Sequence, residues 1–368
     1  MKVLVVAGAR PNFMKVAPIL NALGRAGHQR VFVHTGQHYD ASMSDAFFRD
    51  LGLPIPDRHL GVGSGSHARQ TARVMEAFEP VLEETRPDWI VVVGDVNSTL
   101  ACALVASKLR GSLGCRIAHV EAGLRSNDWA MPEEVNRVLT DRLSDLLLTP
   151  SHDAQPNLLR EGIEASRIVF VGNVMIDSLL RMLPHAEALQ VPATLGLSDG
   201  AYTVATLHRP SNVDDREQLH VILTAFGELA HDHPIVLPLH PRTRERVRAF
   251  GLEGMLEPLQ VLEPLGYTEM LGLQSKAAVV LTDSGGIQEE STVLGVPCVT
   301  LRESTERPVT VTEGTNRLAP WPLTAEGIVA TASAALAQGR VAVGARAPEG
   351  WDGKAGERIV AALAAASR

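Results

Sequence analysis

The stretch I-A-H-V-E-A-G-L-R-S-N-D-W-A-M-P-E-E-V-N-R, Ile117 to Arg137, opens as a short apolar strand and closes where a helix begins, with Glu121, Arg125, Asp128, Glu133 and Glu134 between the two. Strand-to-helix connections are usually short, so a long acidic one asks for a functional reason. In α/β proteins ligands bind beyond the C-terminal ends of parallel strands. The stretch therefore reads as one strand–helix unit of a parallel sheet and as the centre of the chemistry.

Working outward, the same alternation fills the chain. Apolar runs at Val3–Ala7, Val31–His34, Trp89–Val93, Ile117–Val120, Leu146–Leu148 and Ile168–Val171 are separated by amphipathic helical stretches. A second series follows at Tyr202–Thr206, Ile235–Leu239, Leu259–Leu262, Val279–Thr282 and Pro297–Thr300. Alternation of this kind predicts parallel sheets wrapped by helices. The 368 residues exceed what one core usually holds, about 250–300. The expected architecture is α/β, two Rossmann-like doubly wound domains facing across a cleft. Gln190–Gly200 has the composition of a surface linker, and Gly172 is the alternative hinge. The division adopted is 1–171 for the first domain, with a C-terminal helix over 353–368 packing back on it, and 172–352 for the second.

A net charge of −8 gives no global basic field, which argues against nucleic-acid binding and leaves room for local anion sites. Cys102, Cys115 and Cys298 lie in apolar runs without C-x-x-C spacing, so neither a disulfide framework nor a zinc site is expected. M-K-V-L-V-V-A-G reads as a strand rather than a secretory segment, and no apolar run reaches membrane-spanning length. The expected location is a reducing cytoplasm, with no membrane partner.

Several strand ends carry reactive groups. After the first strand, G-A-R-P-N-F-M-K puts Arg10 and Lys15 beside a helix N-terminus, where anions are favoured; a capped surface turn is the alternative. The second strand ends in His-Thr-Gly, where a dinucleotide-binding domain would carry an acid for the ribose. That lowers a dehydrogenase reading. The stretch G-V-G-S-G, Gly61–Gly65, is a flexible connection or a ligand lid ahead of His67 and Gln70. G-D-V-N-S-T places Asp95 at a strand end, and Ser98 or Thr99 as a cap for the next helix. Asp95 and Glu121 leave adjacent strands, with Glu133 able to join them, a grouping suited to acid–base work. Salt bridges to Arg125 and Arg137 are the competing account. In the second half His208 and Arg209, then His240 and Arg242, follow strands. D-S-G-G-I-Q-E-E opens a helix on Ser284, Gly285 and Gly286, whose N–H groups suit a diphosphate, and Glu290 follows one to two turns on.

Together G-A-R-P-N-F-M-K, G-Q-H-Y, G-D-V-N-S-T, H-V-E-A-G-L-R-S, M-P-E-E-V-N-R, T-D-S-G-G-I-Q-E-E and T-E-R-P closely resemble the non-hydrolysing UDP-N-acetylglucosamine 2-epimerase family, collinearly over essentially the whole chain. The resemblance implies a glycosyltransferase-B-like fold, usually dimeric, that interconverts UDP-GlcNAc and UDP-ManNAc without NAD or metal, through loss of UDP to a 2-acetamidoglucal and its re-addition. It implies catalytic roles for Asp95, Glu121, Glu133 and His208. It assigns UDP or substrate binding to Arg10, Lys15, His240, Ser284, Gly285, Gly286, Glu290 and Arg307, and possible allosteric contacts to Gln37, His38 and Gln70. Ala9 and Asn12 depart from the common G-T-R-P-E spelling. G-A-R-P and G-Q-H-Y-D are shared with enzymes acting on UDP-diacetamido uronic acids, the alternative substrate class. A glycosyltransferase of the same fold is the more distant alternative.

Overall fold

The structure, a computed structural model, describes residues 1–36 and 51–367. The chain divides into two compact units, Met1–Arg181 with Glu349–Arg368, and Met182–Pro348. The division falls inside the helix Val174–Ala188, beyond the Val171/Gly172 position chosen from sequence.

In the first unit, the described residues form a seven-stranded sheet: β1 (Lys2–Ala7), β2 (Gln29–His34), β3 (Arg58–His59), β4 (Trp89–Val93), β5 (Arg116–Val120), β6 (Leu146–Thr149) and β7 (Ile168–Phe170), in the order β3-β2-β1-β4-β5-β6-β7. All pairs are parallel, with Val5 opposite Phe32 on one side and Val91 on the other. Helices cover both faces, so central strands such as Trp-Ile-Val-Val-Val are buried along their length. Each fully buried aliphatic side chain contributes roughly 1.5–3 kcal/mol. The helix Asn97–Leu113 packs against the helices His67–Thr85 and Pro132–Leu143.

The last helix, Ala355–Ala366, lies on the helix Arg10–Arg25. A Cβ at Gly356 would sit 2.9 Å from the Pro18 carbonyl oxygen, so glycine permits the close approach. Asp177 accepts from the Ala355 and Gly356 N–H groups at 3.1 and 2.8 Å and fastens that helix start.

The second unit holds six described strands: β8 (Thr203–Thr206), β9 (Ile235–Pro238), β10 (Gln260–Leu262), β11 (Val279–Thr282), β12 (Cys298–Thr300) and β13 (Asn316–Leu318), again all parallel, in the order β10-β9-β8-β11-β12-β13. Its core includes Phe226, Ile222, Leu237, Leu281 and Val299. In both sheets the strand order reverses beside the first strand, between β1 and β4 and between β8 and β11. This is the switch point at which such sheets bind ligands.

Every strand expected from sequence is present, and β3 and β13 are additions. β3 has only two residues, both exposed, and β13 is an edge strand with an exposed Arg317 at its centre, so neither carries an apolar run. Ser98 and Thr99 do not cap the following helix. Its N-cap is Val96, Ser98 Oγ meets Thr35 Oγ1 at 2.8 Å, and Thr99 Oγ1 donates to the Val93 carbonyl at 2.8 Å. The cysteines are buried free thiols, and no described helix is long and apolar enough to cross a membrane.

Candidate active site

At the first switch point, β1 runs into the helix Arg10–Arg25, with Pro11 in its first turn. Asn12 Oδ1 accepts from the Gly8 and Ala9 N–H groups at 3.1 and 3.0 Å, and its Nδ2 donates to the Val93 carbonyl at 3.3 Å, tying this loop to the end of β4. One turn on, the buried Lys15 ammonium pairs with Glu121 Oε2. The pair lies over Gly94: a Cβ there would fall 2.9 Å from Lys15 Nζ and 3.3 Å from Glu121 Oε2, and the backbone has φ +65°. Only glycine satisfies both conditions without strain.

Glu121 is 4% exposed, has φ +70°, and its Oε1 has no hydrogen-bond partner among the described residues. A left-handed conformation costs an L-residue about 1–2 kcal/mol. Such strain persists at functional sites when the surroundings over-determine it. Asp95 accepts from Arg137 Nε at 2.9 Å, and Arg137 also pairs with Glu134. Glu134 accepts from the Ser126 and Asn127 N–H groups at 3.0 and 2.9 Å, closing the acidic loop onto the helix Pro132–Leu143. Arg125 pairs instead with Asp141 and Glu161. The competing salt-bridge account thus applies to Asp95 through Arg137, while Glu121 has Lys15.

Asp95 and Glu133 line a pocket of about 240 Å³ with His67, Gln70, Asn97 and Asn136. Asn136 Nδ2 donates to the Asp95 carbonyl at 2.8 Å, Asn97 Nδ2 to Gln70 Oε1 at 2.7 Å, and Gln70 Nε2 to the Gly63 carbonyl at 3.0 Å. Gln70 is therefore wired to the loop Gly61–Gly65. Glu121 stands outside the lining of this pocket, beside Gly94. Gln37 and His38 fall outside the described residues.

In the second unit His208 follows β8, and its Nδ1 lies 2.9 Å from Asp283 Oδ1. Asp283, fully buried, also accepts from the His208 and Arg209 N–H groups at 3.0 and 2.9 Å and from Asn212 Nδ2 at 3.2 Å. Burial pushes its carboxyl up, but the hydrogen bonds and charge of His208 outweigh this and hold it below the usual range. With Nδ1–H on Asp283, the ring presents Nε2 for chemistry. His208 and His240 have ring centroids 5.7 Å apart. Both line a pocket of about 180 Å³ with Pro264, Leu265, Met270, Ser284 and Ile287.

Ser284 makes no side-chain cap to the helix Gly285–Leu294, which leaves the first-turn N–H groups to a ligand. A Cβ at Gly285 would approach Glu306 Oε1 to 3.1 Å. Arg307 Nε donates to Glu289 Oε1 at 2.5 Å. The carboxyl of Glu306 is pulled down to about 2: burial opposes the shift, and Arg307, Arg302 and Arg209 more than reverse it. Glu290 is pushed up to about 8, first by burial and then by Glu289, against a lowering from the facing Tyr267 hydroxyl. That hydroxyl has no aligned hydrogen-bond partner. Turned to satisfy both of its ends, the Gln274 amide donates to Glu290 Oε2 at 3.1 Å.

Sequence reasoning gave no role to Asp283, Glu289, Asp141 or His119. Asp283 and Glu289 stand inside the D-S-G-G-I-Q-E-E block and His119 inside H-V-E-A-G, so their motifs were visible. The pairings made by folding, Asp283 with His208, Glu289 with Arg307 and His119 with Asp141, were not.

The family model for UDP-N-acetylglucosamine 2-epimerase matches residues 21–364. A UDP-N-acetylglucosamine 2-epimerase of Methanocaldococcus jannaschii is 45% identical over 326 residues, 86% of this chain and 88% of that protein. The UDP-2,3-diacetamido-2,3-dideoxy-D-glucuronate 2-epimerase of Pseudomonas aeruginosa is 46% identical over 322 residues, with the same 86% and 88% coverage. The crystal structure of the M. jannaschii enzyme in complex with UDP-GlcNAc and UDP superposes with a TM-score of 0.87 at 42% identity, covering 99% of this chain and 100% of that one. With a family model spanning nearly its whole length and relatives this similar, the chain belongs to the UDP-N-acetylglucosamine 2-epimerase family.

Proposed function

We propose that the protein epimerises UDP-GlcNAc to UDP-ManNAc at C2, as a cytoplasmic homodimer supplying an activated sugar for polysaccharide synthesis. The C2 hydrogen of such a sugar has no adjacent carbonyl, so its removal must accompany or follow loss of UDP from C1. The C1–O bond breaks with the electron pair leaving on UDP, the C2 proton passes to a base, and 2-acetamidoglucal forms. UDP then re-adds at C1 while a proton is delivered to the other face of C2. The reaction needs a firm hold on UDP and acid–base groups for the sugar. Ser284, Gly285 and Gly286, with Arg307, His240 and Glu290, are assigned to UDP. Asp95, Glu121, Glu133 and His208 are assigned to the chemistry, with Arg10 and Lys15 as substrate cations and Gln70 as an allosteric contact.

The observation that carries this reading is Glu121: buried, left-handed, one oxygen on Lys15 and the other without a partner among the described residues. A side chain kept there against backbone strain has a reason other than stability. The second reading, a UDP-diacetamido uronic acid as substrate, is favoured by the P. aeruginosa relative at 46% identity. Incubation of each UDP-sugar alone in deuterated water, followed by proton NMR, separates them. The expected result is deuterium at C2 and a new manno signal from UDP-GlcNAc, with Asp95→Asn, Glu121→Gln and Glu133→Gln each slowing turnover by ~10²-fold or more. Exchange with the uronic acid alone selects the second reading, and free sugar without exchange removes both.

A further inference from the structure

Glu121 sits in its strained turn beside two buried groups that do not line the pocket of Asp95 and Glu133. His119, two residues earlier on β5, and Asp141, on the helix Pro132–Leu143, are both fully buried. His119 Nδ1 lies 2.6 Å from Asp141 Oδ1, and His119 Nε2 lies 2.9 Å from the carbonyl of Gly94, the residue before Asp95. The other Asp141 oxygen accepts from the Gly123 N–H at 3.1 Å, two residues after Glu121, and from Arg125 Nη2 at 2.7 Å.

We propose that His119 and Asp141 are positioning residues that fix Glu121 and Asp95 for the epimerisation, through the imidazole bridge from Gly94 to Asp141 and the Asp141 clamp on Gly123. The inference rests on the reading that Asp95 and Glu121 do the acid–base work. Three geometric facts support it. First, the turn is pinned on both sides of Glu121 by the same carboxylate, through the ring of His119 and the N–H of Gly123. Second, Gly123 has φ +83°, and a Cβ there would lie 2.6 Å from the carbonyl oxygen of Ala154, the first residue of the helix Ala154–Arg160, so the turn cannot relax by sliding toward that helix. Third, both ring nitrogens of His119 meet acceptors. The ring spans from the Gly94 carbonyl to Asp141, whose other oxygen is held by Arg125 and the Gly123 N–H. It therefore acts as a rigid strut between the β4 and β5 loops.

Arg125 completes the assembly. It reaches Glu161 through Nε and Nη2, both at 2.7 Å, so Asp141 is itself held from behind. Catalytic groups displaced by about 1 Å lose on the order of 10²-fold in rate, and removing this strut frees the loop to shift by that much.

The test uses the full-length protein, with kcat and KM for UDP-GlcNAc normalised to the folded fraction from circular dichroism. His119→Ala and Asp141→Ala are expected to lower kcat by ~10²-fold while KM stays within about threefold, and the double variant to be little worse than either single one, because the two act as a unit. Asp141→Asn is the conservative rescue. Its amide donates to a neutral His119 Nδ1 and its oxygen still accepts from Gly123, so it is expected to keep kcat within about fivefold. A displaced carboxylate also delays the return of the proton, so free UDP released per epimerisation rises in the alanine variants. If His119→Ala does not fold, His119→Gln and Asp141→Asn decide the matter: the first is expected to lower kcat alone and the second to retain it. Wild-type kcat per folded molecule in the alanine variants, a loss confined to KM, or Asp141→Asn as damaging as Asp141→Ala overturns the proposal. Asp95→Asn and Glu121→Gln run alongside. If they remain active, it is the assignment of the acid–base groups that has failed, and if they are inactive while the His119 variants are normal, only the positioning role has failed.

Discussion

Replacing Glu121 by glycine, alone and together with Lys15→Met, separates what this residue costs the fold from what it does. Glycine relieves the left-handed strain, about 1–2 kcal/mol, and loses about 0.5–1 kcal/mol to the greater freedom of the unfolded chain, a net gain of about 0.5–1 kcal/mol. Against this, Lys15 is 7% exposed, and breaking a buried ion pair from one side costs about 3–5 kcal/mol because the remaining charge is uncompensated. Glu121→Gly is therefore expected to be less stable than wild type by about 2–4 kcal/mol, and Lys15→Met by a similar amount. The double variant removes both charges and keeps the relief of strain; replacing a buried pair with apolar groups of similar volume is often neutral or stabilising, while the space glycine leaves takes back part of the recovery. It should be no less stable than either single variant, a coupling of about 3 kcal/mol or more.

Urea unfolding measures this directly. Three of the four tryptophans, Trp89, Trp129 and Trp351, lie in the first unit, so fluorescence reports chiefly on that unit. All three variants should be inactive, including the double one. A coupling below about 1 kcal/mol would refute the reasoning, because the pair would then not be the buried, strain-opposed contact described.

Gly94→Ala should lower stability by about 1–2 kcal/mol through its φ of +65°. By pushing on Lys15 and Glu121 it should also slow turnover at least ~10-fold; a melting curve and kcat check both, and normal kcat would show that the pair tolerates displacement. Glu290 is raised from 4.5 to about 8, so between those pH values the folded ligand-free protein holds a proton that the unfolded chain releases. Stability should thus fall as pH climbs from about 4.5 to about 8, and level off above. Glu290→Gln should abolish that decline, and parallel Tm–pH curves for the two proteins would contradict the shift.

The strands were legible because strands buried on both faces read as continuous apolar runs, and Trp89–Val93 is such a run. β13 was not, since an edge strand with Arg317 in its middle has no such pattern. The candidate acids were legible for a related reason: Asp95 and Glu121 stand directly after apolar runs, and the alternation marks those places as strand ends. What sequence could not supply were partners joined only by folding. His119 meets Asp141, and His208 meets Asp283, across large separations in the chain, and nothing local to His119 distinguishes a strut from an ordinary core histidine.

Comparing Asp95 with Asp283 shows why topology locates a site without saying what it does. Each follows the strand just beyond its sheet's switch point, β4 in one unit and β11 in the other. Asp283 comes directly after its strand, is fully buried, and gives its oxygens to two backbone N–H groups, Asn212 and the His208 ring. Asp95 comes one residue later, after the left-handed Gly94, keeps 26% of its side chain exposed, and lines the pocket with Glu133. The inserted glycine is the physical difference: with it the carboxylate pairs with Arg137 at the pocket wall and keeps part of its surface exposed, and without it the carboxylate is absorbed by the loop. The loop thus stabilised carries His208, and the same fold position supplies a pocket-lining acid in one unit and the support of a pocket-lining histidine in the other.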